Sequence, residues 1–170
     1  ALGVVCHNLE FKLQLSQGVE LRRAHRVLPM IGPLDPGPNQ NGSYSLPLGD
    51  YDPSHPPALL LELIVPPWQP GTYRAAQTLL AWDDPSGNTT RMKLRQDVVL
   101  QVGGDSPPNG RVMNIVEKVG AFKLGTLALE DVARGDRGAA TIKLRQAATR
   151  LLDMGEGAFA NERIRKPAGL

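Results

Sequence analysis

The sequence predicts an α+β protein that is mainly β: an immunoglobulin-like antiparallel β-sandwich of about six or seven strands, followed by a C-terminal α-helical hairpin. As far as Gly103–Gly104, apolar residues alternate along short segments that Pro and Gly separate. Beyond that point they recur at every third or fourth position, as on one face of a helix. We therefore expect a β-sandwich domain over residues 1–104 and a helical hairpin over residues 105–170.

The first two strands are expected at residues 4–16 and 19–27. The turn-forming residues Ser16 to Gly18 lie between them and predict a hairpin with Gly18 near its tip. The first strand alternates cleanly and should be half-buried. Its predicted buried face consists of Val5, His7, Leu9, Phe11, Leu13 and Leu15.

Four further strands follow after a Pro- and Gly-rich segment, 29–42, that predicts a loop. Residues 43–50 form a short strand in which Pro47 indicates an edge or a kink. Residues 58–65 are apolar on both faces, which predicts a central, well-covered strand. The last two strands should occupy 72–82 and 89–102, and the predicted buried face of the latter is Met92, Leu94, Val98, Leu100 and Val102.

The start of the penultimate strand carries Gly71, Tyr73 and Ala75 in the G-x-Y-x-small pattern of an immunoglobulin-like tyrosine corner. With that alignment, the first strand of a seven-stranded sandwich is missing from the chain. Tyr73 as an ordinary strand aromatic is an equal alternative.

The helical part predicts two helices joined by a turn at Gly135, with Asp136 placed to cap the second helix. Gly120 and Gly125 interrupt the apolar face of the first helix. Close approach of another backbone would compensate for the helix stability that these glycines cost. Two short helices cannot bury their apolar faces fully against each other. We expect the pair to pack on the sandwich; a third helix or an outside partner are the alternatives.

Composition excludes several classes of function. A net charge of +2 does not indicate the strong positive electrostatic potential that is typical of nucleic-acid-binding proteins. The longest apolar run, 58–65, is too short to cross a membrane. Cys6 is the single cysteine, so the chain forms no internal disulfide, and we expect the thiol to be buried as a small apolar group. The lone cysteine and the lack of a visible signal segment slightly favour the cytoplasm.

No catalytic, metal-binding or cofactor-binding pattern is present, so we expect neither an enzyme nor a cofactor. The three histidines, His7, His25 and His55, lack ligand spacing. The segment Asp50 to His55 weakly resembles a cation-binding loop, but a surface turn is the better interpretation.

Three residues are candidates for protein interaction: Arg22, Arg26 and Trp68. The two arginines belong to the densest basic cluster and could meet an acidic partner. A solvated strand face is the more ordinary interpretation of that cluster. Trp68 lies between prolines, where it serves either as an exposed anchor or as a cover for one end of the core.

The strings LPLGDYDPSHPPALLLELIVPPWQPGTYR and RVMNIVEKVGAFKLGTLALEDVARGDRGAATIKLRQAATRLLDMGE resemble the region that follows the type A domain in bacterial von Willebrand factor type A domain-containing proteins. The resemblance implies an upstream type A domain as a protein partner. The D-x-S-x-S metal loop of that domain does not occur in this chain. The resemblance also implies an early strand supplied from before the type A domain, so this chain would have an open edge that invites a homo-oligomer.

The sequence thus predicts a non-enzymatic protein-interaction or scaffold module beside a von Willebrand factor type A domain. One alternative is a binding tail of the tetratricopeptide type, formed by the helices. Another is a hydrolase whose site is assembled from Cys6, His7 and His25.

Overall fold

The computed structural model describes residues 5–37, 41–84, 91–105 and 107–165, with side chains as far as residue 155. The chain divides into two compact units, Ala1–Ser106 and Pro107–Leu170. The first unit contains the strands and the second contains the helices. In chain order the elements are β1 (Cys6–Leu15), β2 (Glu20–Leu28), β3 (Gly32–Leu34), β4 (Ser43–Tyr51), β5 (Ala58–Ile64), β6 (Gly71–Asp83), β7 (Met92–Val102), α1 (Gly110–Ala133) and α2 (Arg137–Arg165).

The strands form two antiparallel sheets. Sheet A has four strands in the order β4-β1-β6-β7, and sheet B has three in the order β3-β2-β5. Two antiparallel sheets followed by two helices confirm the predicted α+β, mainly β class. β3 is a short addition to sheet B that lies within the segment predicted to be a loop.

The core of the first unit lies between the two sheets. It is built on Leu13 and Leu15 of β1, Val19 of the following turn and Ala76 of β6. Side chains from both sheets pack against this cluster, which shows that the sheets face each other as a sandwich. They are Phe11, Leu21, Tyr44, Leu61, Leu63, Trp68 and Val98.

The turn after β1 does not close a hairpin, and this prediction was wrong. β1 pairs with β4 and β6 in sheet A, whereas β2 pairs with β3 and β5 in sheet B. Residues 16–19 therefore carry the chain across the core, with Gly18 in the left-handed region at φ 80°. Alternation and turn residues are the same for a hairpin and for a crossing between sheets, so the sequence does not distinguish them.

An irregularity in β1 changes which side chains face the core. Asn8 has a φ of 50°, and the pairing of β1 with both neighbours shifts register between His7 and Glu10. Such a bulge reverses the alternation of the residues that precede it. As a result Cys6 is buried, as expected for its thiol, whereas Val5 and His7 are exposed, which corrects the predicted buried face at those two positions.

β5 is an edge strand, although its apolar character on both faces predicted a central one. Its neighbour within sheet B is β2, and no described strand pairs with its other edge. Apolar residues on both faces of a strand indicate that both faces are covered. They do not indicate how many strands pair with it. β1 in turn lies between β4 and β6, so the open edges of the described sheets belong to β3, β4, β5 and β7.

β7 is less buried than the alternation predicted. Met92 and Leu94 are 45% and 57% exposed, while Val98, Leu100 and Val102 are half-buried. Val98, which packs against the core cluster, lies in the C-terminal half of β7, whereas Met92 and Leu94 lie at its start. The inward face of β7 is thus covered only towards its C-terminal half.

The helix ends follow ordinary capping chemistry. Asn109 caps α1, since its side-chain oxygen accepts hydrogen bonds from the backbone N–H groups of Arg111 and Val112 at 3.0 and 3.3 Å. Gly135, at φ 84°, ends the connection after α1. Asp136 caps α2 by accepting from the N–H of Ala139 at 2.9 Å, as its position predicts. α2 continues past Gly155 to Arg165.

The two helices meet through small residues rather than through their large apolar stripes. The alanines at the contact are spaced seven residues apart on each helix, and Val119 lies among them. Leu129, Ile142 and Leu152 are 60% to 72% exposed. Small side chains allow the helices to approach closely, and the larger apolar residues then lie beside the contact. The buried alanines are Ala121, Ala128, Ala140 and Ala147.

Candidate functional site

An apolar cavity lies between the sheets of the first unit, and we call it the hollow. Its volume is about 530 Å³, within the size range of ligand-binding pockets. It lies towards the end of the sandwich where β1 begins, whereas the packed core occupies the other end. The lining residues are Cys6, Leu9, Phe11, Leu48, Tyr51, Pro56, Pro57, Leu59, Leu61, Leu80, Trp82 and Leu94.

All four strands of sheet A and β5 of sheet B contribute side chains to the hollow. Leu59 and Leu61 line it from β5, and Leu80 and Leu94 line it from β6 and β7. Leu80 and Leu94 are directly paired across the two strands, so they project from the same face of sheet A. The hollow is therefore enclosed by apolar side chains from both sheets.

The thiol of Cys6 is one of the few polar groups that line the hollow. Burial raises the pKa of this thiol, and a backbone hydrogen bond from Tyr51 opposes the shift only in part. The thiolate is the nucleophilic form of cysteine, so this environment disfavours nucleophilic chemistry. The residue is buried, as the sequence predicted.

Arg22 lies on the outer surface of sheet B. Its Nη1 donates to Oε1 of Glu62 at 2.9 Å, which joins β2 to β5 by an exposed ion pair. Exposed pairs of this kind contribute about 0.2–1 kcal/mol. The structure therefore places this candidate residue next to the open strand, with its charge already partnered.

Arg26 does not belong to the solvated face that the basic cluster suggested. It pairs directly with Leu59 of β5, and paired residues project to the same side of a sheet. Its Nε atom is buried and has no hydrogen-bond partner among the described residues. The guanidinium group is thus partly enclosed on the face of sheet B that carries the leucines of β5.

Trp68 packs against the core cluster and stacks on Tyr73, with ring centroids 4.7 Å apart and an angle of 14° between the rings. The Tyr73 ring folds over Gly71, where an added Cβ would lie 3.3 Å from its Cε2 atom. Trp68 is half-buried in this arrangement. It covers the packed end of the sandwich, away from the lining of the hollow.

The three histidines take separate positions. His7 pairs with Asp50 at 3.1 Å, and His55 contacts Asp52 at 3.4 Å. Asp52 also accepts from the N–H of Ser54 at 2.8 Å, and this bond is the main cause of its lowered pKa. The contacts of Asp52 are those of a local turn within residues 52–55, whereas Asp50 lies in β4 and its contact with His7 joins β4 to β1. Within the described ranges, no cluster of three or more His, Cys, Asp or Glu side chains has the arrangement of a metal site.

Sequence reasoning missed one buried carboxyl group, Asp131 of α1, which is 2% exposed. It accepts hydrogen bonds from Arg134 and from Lys143 of α2, and both contacts lower its pKa, Lys143 most strongly. The i,i+3 spacing from Asp131 to Arg134 could have pointed to the first contact. The contact with Lys143 depends on how the helices pair.

In the part of the chain that the structure describes, no helix has the length and apolar character needed to cross a membrane.

The structure is a two-sheet sandwich followed by a pair of helices. Comparison with known proteins found a family that matches the helices and a solved structure that is similar to most of the chain. Residues 110–166 match the family described as the Sll0103-like C-terminal alpha-helical domain. Among solved structures, the chain is similar to one described as von Willebrand factor type A from Catenulispora acidiphila, with a TM-score of 0.72 and 20% sequence identity. That alignment covers 92% of this chain and 38% of the other.

At this level of identity, the structural similarity shows the fold alone. The predicted resemblance to von Willebrand factor type A proteins is therefore matched at the level of the fold and not of the sequence. The present chain spans 38% of the length of the protein that it resembles. No curated protein matches it significantly.

Proposed function

We propose that this chain is a non-enzymatic protein-interaction or scaffold module that works beside a von Willebrand factor type A domain. The observation that carries the proposal is the match of 92% of this chain to 38% of a longer protein with that description. In such an arrangement the type A domain is the first partner, and the sandwich and helices present further surfaces for contact.

The character of the described surfaces supports an interaction role. Large apolar side chains are exposed on both units, including Leu94 of β7, Leu129 of α1 and Leu152 of α2. These side chains are available to be buried against another protein. Burial of the Cys6 thiol and exposure of His7 argue against the alternative of a hydrolase that uses both.

The test begins with the reading frame that encodes this chain. We expect an upstream α/β domain with a D-x-S-x-S loop. That domain, expressed separately, should bind this chain in isothermal titration calorimetry. A reading frame without such a domain, or a domain that shows no binding, would contradict the proposal. Alkylation of Cys6 followed by a hydrolase screen tests the enzymatic alternative, for which we expect no activity.

A second function is favoured by the family match of residues 110–166, which treats the helical part as a domain of its own. A helical hairpin with exposed apolar residues could act as a binding tail of the tetratricopeptide type. Repeat arrays need about three units to bury a continuous core. Further helical repeats downstream in the reading frame would support this function, and their absence would oppose it.

A further inference from the structure

The wall of the hollow includes the segment of chain that joins the two sheets. Pro56 and Pro57 line the hollow, and they lie between the end of β4 in sheet A and the start of β5 in sheet B. The other lining residues come from the strands of both sheets. The hollow is therefore a space between two apolar faces, with part of its wall formed by the connection between them.

The lining has little capacity for hydrogen bonds. None of the twelve described residues that line the hollow has a charged side chain. Their polar side-chain groups are the thiol of Cys6, the hydroxyl of Tyr51 and the indole N–H of Trp82. Burial raises the pKa of the Cys6 thiol, so this group is uncharged near neutral pH. A molecule that enters the hollow meets mainly hydrocarbon.

This chemistry distinguishes between a polypeptide segment and a small molecule as the occupant. Every residue of a peptide other than proline carries a backbone N–H and a C=O group, and both need partners when they are buried. Leucine, proline and phenylalanine side chains do not supply such partners. The backbone hydrogen bonds of the lining strands lie within the sheets and not in the space between them. A molecule that resembles a hydrocarbon has no such groups to satisfy.

The volume of the hollow, about 530 Å³, is also that of a site and not of a packing defect. Protein interiors contain few voids larger than a water molecule. An unfilled apolar cavity lowers stability in proportion to its volume. An apolar cavity of about 150 Å³ stays dry and binds benzene, so by proportion the hollow has room for roughly twenty non-hydrogen atoms.

We propose that the hollow binds an uncharged small molecule with an apolar body, such as an aliphatic alcohol. The ligand lies against the leucines of both sheets and contacts the indole ring of Trp82 and the thiol of Cys6. Burial of hydrocarbon supplies the affinity, so each added CH2 group should tighten binding roughly fourfold while space remains. This activity goes beyond the proposed function, because it needs no type A domain.

The two tryptophans of the chain provide matched reporters. Both are half-buried, but Trp82 lines the hollow, whereas Trp68 packs on the core cluster and stacks on Tyr73. The probe is bromoundecanol, an uncharged chain whose bromine quenches tryptophan fluorescence on contact. Trp68→Phe leaves only Trp82, and Trp82→Phe leaves only Trp68. We expect saturable quenching at least about fivefold stronger in Trp68→Phe, since contact requires atoms within about 4.5 Å.

Cys6 allows a second measurement on the unchanged chain. N-ethylmaleimide alkylates this single cysteine, and mass spectrometry follows the reaction. Undecanol at about ten times its Kd should slow the alkylation roughly tenfold, because the thiol is covered in the occupied state. The control combines Cys6→Ala with Val99→Cys, which moves the thiol to a position that is 55% exposed and outside the lining. Its alkylation rate should not change with undecanol.

The proposal is overturned if neither tryptophan is quenched, or if both are quenched alike, since the probe then binds elsewhere. It is also overturned if undecanol leaves the alkylation rate of Cys6 unchanged. Should a tryptophan variant lose the circular dichroism spectrum of the unchanged chain, the alkylation result decides. A blocked peptide of alternating Val and Thr that slows alkylation as much as undecanol would likewise refute the proposal, because the hollow would then accept a polypeptide backbone.

Discussion

Gly120 of α1 makes room for the side chain of Arg150 of α2. A Cβ atom built on Gly120 would lie 2.7 Å from Nη1 of Arg150 and 3.6 Å from its Cζ. With that space available, Nη1 of Arg150 donates to Oε2 of Glu117 at 3.0 Å. The glycine in this helix is thus explained by a passing guanidinium group, whereas the sequence suggested close approach of a backbone.

This contact predicts that Gly120→Ala and Arg150→Ala are energetically coupled. In the Arg150→Ala background, Gly120→Ala should raise the free energy of unfolding by about 1 kcal/mol, the ordinary gain of helix propensity. In the unchanged chain the gain should be smaller, because the guanidinium group must move and its exposed ion pair contributes about 0.2–1 kcal/mol. Urea denaturation of the four chains, followed by helical circular dichroism, measures the coupling. Equal effects in both backgrounds would contradict it.

The Asp131 carboxylate predicts a pH dependence of helix stability. Its hydrogen bonds with Lys143 and Arg134 lower its pKa in the folded chain. The stabilisation is therefore complete above the ordinary aspartate pKa of about 3.9 and is lost as the pH falls through the lower folded value. We expect Asp131→Asn to be less stable than the unchanged chain at neutral pH and similar to it in strong acid.

Urea midpoints of the helical signal, measured from neutral to strongly acidic pH, check the Asp131 prediction. Asp153→Asn is the matched control, because this carboxyl group is exposed on α2. It should leave the midpoint at neutral pH nearly unchanged. A constant difference between Asp131→Asn and the unchanged chain at every pH would contradict the role of the ionised carboxylate.

The different exposure of Leu13 and Leu94 predicts that truncation costs more stability at the packed end of the sandwich than at the end with the hollow. Leu13 is 2% exposed and belongs to the core cluster, so Leu13→Ala should cost about 2–5 kcal/mol of unfolding free energy. Leu94 is 57% exposed, so Leu94→Ala should cost less than about 1 kcal/mol. Guanidinium denaturation followed by tryptophan fluorescence gives both values. Similar costs at the two positions would mean that β7 is covered in solution.

We expect that substitution of Arg26 by an apolar residue raises the stability of the chain. Because its buried Nε lacks a hydrogen-bond partner among the described residues, Arg26→Met should raise the free energy of unfolding by about 1 kcal/mol. Arg23→Met, at an exposed position on the same strand, should change it by less than about 0.5 kcal/mol. Thermal denaturation of both variants checks the difference. A marked loss of stability in Arg26→Met would show that the guanidinium group is well paired.

Features that depend on neighbours in the chain could be predicted from the sequence. The change of period at Gly103–Gly104 indicated strands followed by helices, and the capping of α2 by Asp136 followed from its place after Gly135. The strand segments were also assigned closely, since alternation is a local property. The fold class could therefore be predicted, although the candidate site could not.

The features that define the site depend on which strands become neighbours. Local alternation is the same whether β5 lies at an edge or in the middle of a sheet, and whether the turn after β1 closes a hairpin or crosses between sheets. The bulge at Asn8, which buries Cys6 and exposes His7, arises from pairing with β4 and β6 at once. The hollow follows from these long-range pairings.

The order of side chains along the chain determined the kinds of elements in this protein, because hydrophobic period and capping act over a few residues. Only the tertiary structure decided that β5 pairs with β2 alone among the described strands, that β7 is partly uncovered, and that Arg150 passes over Gly120. Each of these depends on contacts between residues far apart in sequence, whose formation is governed by packing rather than by local preference.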